Sequence, residues 1–555
     1  MRRRGKVTGM DGMILGILIA VFVLGGVVYA ALSSRTADRK LRANLENRFG
    51  KAPDGDAELE SAAVPWKTAA GKESGCFVDD TTWNDLDMDS VFLRIDSCET
   101  SLGEEYLYLL LRRFSDAGET ERRARMMDCL DQDPELRLRL QYLLHKVGKS
   151  NYNGLAGFLE NSEDCALPHA WAYRVLAALP LASLCVLPFR FAAGMILTLC
   201  FLCVNILASY LAGRRIEQRT PAVRYFSAAL WCGRQICAMR EEGAAELRER
   251  IEGDLSKLRG LRSSVSGSMR NGFVTNDLES FAEFGRMLSL HEIRSYNKMI
   301  ALVSAHRPLC EDLCRSIAEL DAAVAVLSFR KSLPYCSRPH YVGQMTINVQ
   351  ELYHPLLRDA VPNSAVLTKA AIITGSNASG KSTFIKAVAV NGILAMALDT
   401  CTARVYQAPR ALVISSMAVR DNLTGGESYY VSEVRSLKRV LDHVDRMPCL
   451  CFVDEILKGT NTAERIAASA AILRHLFREN CFCLVATHDI ELTELLAGEF
   501  ENYHFSEQVT DEEITFDYLI KPGASKTTNA IRLLACMKFD REIVECAEKT
   551  VKSLQ

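Results

Sequence analysis

Apolar positions fall into three regimes along the chain. Uninterrupted apolar runs occupy about 13–32, 175–187 and 191–212. The first and third match the ~20 residues that cross a bilayer, whereas the second is short and contains Pro180. Helical spacing dominates elsewhere up to about residue 335: Leu102, Tyr106, Leu109 and Leu110 are expected to share one face, and 133–146 carries Leu136, Leu138, Leu140, Leu143 and Leu144. Residues 36–72 are polar and of mixed charge, a linker or a solvated helix, and 246–261 is a charged helix leading to a Ser/Gly-containing loop at 263–272. Beyond residue 336 short apolar runs such as Ala371-Ile372-Ile373, 450–453 and 483–486 alternate with helical segments, the pattern of a parallel sheet.

Composition narrows this picture. With 555 residues the chain needs several cores, and a net charge of −2 gives no overall signal for a polyanionic partner. The 19 cysteines, an odd number set in apolar runs, indicate reduced thiols in a cytosolic setting, and Cys200 and Cys203 read as small hydrophobes rather than zinc ligands. Run 13–32 is longer than a signal-peptide core and is followed by basic residues, which favours an uncleaved anchor. Runs 175–187 and 191–212 form a membrane hairpin, with a re-entrant segment or a soluble core as alternatives for the first arm. Arg174 before the pair and Arg214-Arg215 after it put both outer flanks on the cytoplasmic side. The orientation of the first anchor stays open, because Arg2–Lys6 balances Arg35, Arg39, Lys40 and Arg42.

The chemistry concentrates in the last third. In AAIITGSNASGKSTF a strand breaks into a small-residue loop that opens a helix, the spacing of a phosphate-binding P-loop. Gly375 and Gly380 allow the curvature, and Asn377, Ser379 and Thr383 complete the cradle. Lys381 would reach the β- and γ-phosphates, and the Ser382 hydroxyl would face Mg²⁺. A second strand ends in Asp454-Glu455: one acid to hold Mg²⁺ through its water shell, the other to polarise an attacking water. A third delivers His488 and Asp489 to the same edge, and DNLTGGES at 421–428 precedes another helix N-terminus. ATP and Mg²⁺ are the cofactors this set implies.

These motifs, in this order, resemble the MutS family, the ABC-like ATPases of DNA mismatch repair. GSNASGKST, DEILKGTNT and ATHDIELTEL match its P-loop, Walker B and histidine loops, and DNLTGGESYYVSE its segment carrying a trans-acting serine, which puts Ser428 in that role. Helices around 83–114 and 317–329 are similar to the family's core lever. Phe281-Ala282-Glu283 reads as packing, and the mismatch-reading and connector domains find no counterpart. The resemblance is therefore to a membrane-anchored subgroup. It implies an α/β P-loop ATPase domain of the ABC/MutS type (336–555) preceded by an all-α core or lever domain (36–172 and 214–335) with transmembrane helices at 1–35 and 173–213. It implies ATP hydrolysis at a homodimer interface with Glu455, His488 and Ser428 as catalytic residues. The expected location is the cell membrane, multi-pass, with the ATPase facing the cytoplasm. DNA is the partner the family suggests; a protein or lipid partner of a mechanical or regulatory ATPase is the alternative. Transport is disfavoured, since three segments without a central acid make a poor pathway.

Overall fold

The computed structural model describes residues 32–554 apart from 54–58, 71–76, 115, 151–153, 218, 242–244, 258–287, 369, 377–378, 418–428, 459, 479, 510–513, 526–530, 532–533, 535–536 and 538. The first apolar run, the 263–272 loop and Phe281-Ala282-Glu283 thus lie outside the described residues, apart from Leu32.

The N-terminal part is helical. Helix α1 (32–48) lies antiparallel to α2 (Pro134–Val147). Leu45 is buried between them, Tyr142 donates to Asp38 at 2.8 Å, and Arg137 stacks on Phe49 at 3.7 Å. Pro134 starts α2 without loss because its missing N–H would have no helical partner, and Asp133 caps the Leu136 amide at 2.9 Å. The expected apolar face of 101–112 is wider than the sequence suggests. Helix α3 (Ser101–Arg112) buries Leu102, Leu107, Tyr108, Leu110 and Leu111, since it packs both on the long helix Arg307–Ser332 and on the helix Lys381–Leu398. A one-sided stripe suits a surface helix, whereas this one is enclosed.

Two antiparallel helices project from this bundle: α4 (Ala170–Leu184), which continues through Pro180, and α5 (Phe191–Ile216). Ser183 and Thr198 hydroxyls meet at 2.7 Å between them. Their outer surface is apolar, with Phe189 85% and Phe191 71% exposed. Among the described residues two helices are long and apolar enough to cross a membrane, Phe191–Ile216 and Lys381–Leu398. The second is buried within the C-terminal part and is a core helix.

That C-terminal part is a mixed α/β unit. Strands β1 (His340–Tyr341), β2 (Ile347–Leu352), β3 (Asn363–Leu367) and β5 (Val405–Ala408) form a four-stranded sheet in the order β1-β5-β2-β3. Strands β4 (Ala371–Thr374), β6 (Leu412–Ser416), β7 (Cys449–Asp454), β8 (Cys481–Ala486), β9 (Glu501–His504) and β12 (Lys521–Pro522) form the larger one, in the order β12-β9-β4-β8-β7-β6. Pairing is parallel from β9 to β6. Strands β4 and β8 are wholly buried, and β7 is buried up to its last residue, which explains their unbroken apolar runs. Although apolar and polar residues alternate through 503–509, this stretch is not one strand: β9 ends at His504, and β10 (Glu507–Val509) pairs instead with β11 (Ile514–Phe516).

Candidate nucleotide site

The carboxyl ends of β4, β7 and β8 meet at one edge, where a parallel sheet has no side chains of its own strands to fill the crevice. From β4 the chain turns through Gly375 at φ 143° and Gly380 at φ 108° into α6 (Lys381–Leu398). Gly375 is needed twice over: a Cβ there would lie 2.6 Å from the Phe505 carbonyl oxygen, and its backbone angle disfavours any other residue. The Ser379 hydroxyl donates to the Ser376 carbonyl at 2.8 Å, and the Ser376 hydroxyl to Glu507 at 2.7 Å, which stiffens the described part of the loop.

Lys381 is 4% exposed and donates to the carbonyls of Gly375 at 2.6 Å and Ser376 at 2.8 Å. Burial lowers its ammonium to about 8, against the opposing pull of Asp454 and Glu507. The loop therefore holds a desolvated cation beneath the helix N-terminus, an arrangement that an anion would stabilise. Ser382 and Thr383 on the first turn line a cleft of about 360 Å³ that continues past Phe384, Glu455, His354 and Tyr518. Burial, with Lys386 adding, pushes the His354 imidazole down to about 4, so it faces this cleft neutral.

The second strand ends at Asp454, whose Oδ1 is buried and has no hydrogen-bond partner. An orphaned carboxylate oxygen whose charge reaches Lys381, the residue before Ser382, is a donor that a hydrated divalent cation takes, so these residues fit Mg²⁺. Glu455 follows in a left-handed conformation, φ 57°, with Leu457 at φ 56° two residues later. Side-chain-bearing residues rarely adopt this region, and two so close together set the acid's direction by backbone strain. The Glu455 amide donates to Ala486 O at 2.9 Å, joining the ends of β7 and β8. His488 Nε2 lies 3.0 Å from Glu455 Oε1, and Lys458 forms an ion pair with the other oxygen. Burial and the charges of Lys381 and Lys458 hold the His488 imidazole below its usual range. Behind it, Arg465 grips Asp489 through two bonds of 3.0 and 2.6 Å, fixing the loop that carries His488.

Lys381, Ser382, Thr383, Gly375, Ser379, Gly380, Asp454, Glu455 and His488 thus stand at one edge of the sheet. Asn377 and Ser428 lie outside the described residues. Sequence reading missed Lys458, Glu507 and Tyr518. Only Lys458 left a trace, its spacing of three residues from Glu455 in a turn.

Residues 371–555, beginning at the first residue of β4, match MutS domain V. The chain is also similar to the DNA mismatch repair protein MutS of Natronomonas pharaonis, at 28% identity over 269 residues. That similarity takes in 46% of this chain and 30% of the relative, so the chain spans about a third of the length of the curated relative it matches.

Proposed function

Because the chain belongs to the MutS family through its domain V, we propose that it is an ATPase in which ATP and Mg²⁺ sit between the Lys381 loop and the Asp454–Glu455 strand end. The observation that carries this reading is the meeting of a buried lysine, an orphaned carboxylate and a Glu–His pair at a single sheet edge. In this reading Lys381 and the loop amides bind the phosphates, and Mg²⁺, held by Ser382 and Asp454, neutralises charge on them. Glu455 orients the attacking water, and His488 keeps Glu455 in place. Ser428 belongs to the site of a second copy, so turnover requires a homodimer. Full-length protein with Glu455→Gln is expected to bind ATP and lose about 100-fold or more in hydrolysis. Hydrolysis within a factor of about three of wild type would overturn the assignment.

The α4–α5 hairpin is, in this proposal, a membrane element that leaves the ATPase on the cytoplasmic side, and the work of the ATPase is done at the membrane. Its apolar exposed surface favours a protein or lipid load over DNA. The family relationship favours DNA. A titration of duplex and branched DNA at falling salt, with and without ATP, separates them: binding that strengthens steeply at low salt supports the DNA load, and its absence supports the membrane load.

A further inference from the structure

The hairpin carries its own ruler. Leu187 lies against Gly194 and Ser183 against Thr198, so each step back along α4 is matched by a step forward along α5. That register puts Trp171 level with Tyr210, and both are largely exposed, at 66% and 59%. From Tyr210 to Phe191 the helix rises about 28 Å at 1.5 Å per residue, close to the ~30 Å of a bilayer's hydrocarbon layer. The two amphipathic rings therefore mark the inner boundary of that layer, where Trp and Tyr settle. Arg190, at the tip, falls at the outer one. Arg214 and Arg215, the next turn after Tyr210, sit at headgroup depth, and both are exposed.

A second basic stretch reaches the same layer from elsewhere in the chain. Helix α1 runs antiparallel to α2: Phe49 meets Arg137, Arg42 lies over Tyr142 at 4.8 Å, and Lys146 donates to Asp38 at 3.2 Å. Continuing that register, Arg35 and its neighbours come level with the end of α2. Val147 and Ser150 there line an open groove whose other wall is Gly213, Ile216, Thr220 and Arg224. Arg35, Arg39 and Lys40 thus share a layer with Arg214 and Arg215. All five are exposed and none is in an ion pair among the described residues. The acids in the same region include Asp38, already held by Tyr142 and Lys146, Asp96 and Glu104, both held by Lys149, and Glu217 and Glu292, which line the groove.

Resting on the membrane reading of the hairpin, we propose that the N-terminal half of α1 and the C-terminal end of α5 form one basic shelf that binds the headgroups of anionic phospholipids. The occupant follows from position: the cations lie directly beneath an apolar projection of bilayer depth, where the polyanion they meet is the lipid surface. Each cation near a charged leaflet adds about 1 kcal/mol, so a shelf of five selects strongly even when several act only in part.

The test uses the full chain in nanodiscs of phosphatidylcholine with a minority of phosphatidylglycerol, reading the lipid held next to the protein with spin-labelled forms of each. Phosphatidylglycerol is expected to be preferred by about tenfold. Replacing Arg35, Arg39, Arg214 and Arg215 by Gln is expected to reduce that preference to about twofold or less. The distant replacements Lys438→Gln and Arg541→Gln are expected to leave it unchanged. Equal retention of both lipids by wild type, or a preference that survives the fourfold replacement, overturns the proposal while leaving the membrane reading intact. Failure of the chain to float with vesicles of either composition overturns the membrane reading, and the proposal with it. Loss of DNA binding in the fourfold variant with unchanged lipid selectivity assigns the shelf to nucleic acid instead.

Discussion

Replacing Lys381 by Met isolates what the phosphate loop does with charge. Lys381 is 4% exposed, and holding its ammonium at about 8 rather than 10.5 amounts to a penalty of about 3 kcal/mol when it is protonated. Its two carbonyl contacts offset part of that cost. Loss of the side chain removes both the penalty and the contacts, so the stability of the nucleotide-free protein should change by less than about 2 kcal/mol. Binding is different: a charge-assisted contact with phosphate contributes about 1.5–3 kcal/mol, and the proposed function gives Lys381 two phosphates. ATP affinity should fall by about 100-fold or more. The same geometry fixes the pH dependence. A lysine lowered in the folded state lowers stability most below about pH 8, and stability recovers as pH rises from there toward 10.5. An anion drives Lys381 back to its charged form, so ATP binding at pH 8 should take up about half a proton, and affinity should fall above that pH. Calorimetric titration in buffers of different ionisation heat measures the proton directly. No proton uptake at pH 8, or K381M affinity within about threefold of wild type, would refute the reasoning.

Other replacements probe the frame around it. Gly375→Ala brings a methyl within 2.6 Å of the Phe505 carbonyl at a backbone angle of φ 143°, and should cost at least about 2 kcal/mol, read as a lower unfolding midpoint with or without ATP. Asp321 is fully buried and accepts from the amides of Glu99 at 3.1 Å and Thr100 at 2.8 Å and from the Thr100 hydroxyl at 2.6 Å. Asp321→Ala strands those donors, and chemical denaturation should show a loss of about 3 kcal/mol or more; a loss below 1 kcal/mol, about what a surface change costs, would mean the network carries no load. In mixtures of Lys381→Met and Ser428→Ala chains, each mixed dimer keeps one site with both residues intact, so activity should recover to about half of wild type per dimer. Recovery to no more than the sum of the separate variants would rule out a site shared between copies.

The turn from 375 to 382 was legible because its glycines are forced. A strand that must turn at once into a helix beside Phe505 leaves few choices at 375, and the lysine and hydroxyl follow at fixed helical positions. Asp454 and Glu455 were legible for a related reason, since acids end an otherwise buried run only where the strand emerges. The left-handed backbone at Glu455 and Leu457 had no sequence signal, because neither is the glycine that such angles normally select. The break after His504 was hidden by continued alternation. Its cause is tertiary: Phe505 turns inward against Phe384, ring centres 6.0 Å apart, and its amide bonds to Thr374 at 3.0 Å. Asp321 carries no sequence signal of its role, because its partners lie more than 200 residues away and no local pattern points to them.

Those distant contacts bear on how the nucleotide site is joined to the helical body. The helix that begins at Lys381 ends in carbonyls held by two arginines of that body. Arg330 donates to Leu398 O at 3.2 Å, to Asp399 O at 2.6 Å and to the Thr400 hydroxyl at 2.8 Å, and Arg123 donates to Ala397 O at 3.2 Å. The helix C-terminus is the negative end of its dipole, so both arginines sit where cations are most favoured. A second clasp holds the opposite side of the sheet: Asp85 accepts from the Ser415 hydroxyl at 2.7 Å and the Met417 amide at 2.9 Å, while Arg439 joins Asp79 to the Ser415 carbonyl. Hydrogen bonds from charged donors contribute about 1.5–3 kcal/mol each, so pulling the Lys381 helix free of Arg330 and Arg123 costs about 5 kcal/mol or more. Couplings between sites are usually about 1–3 kcal/mol. The grip exceeds the push, and a shift of the helix on nucleotide binding must carry Arg330 with it. Arg330 is on the same long helix as Asp321, which is tied to Glu99 and Thr100 at the head of α3. A displacement at the phosphates therefore reaches the α3 packing as movement of a connected body, with the bonds at both ends intact.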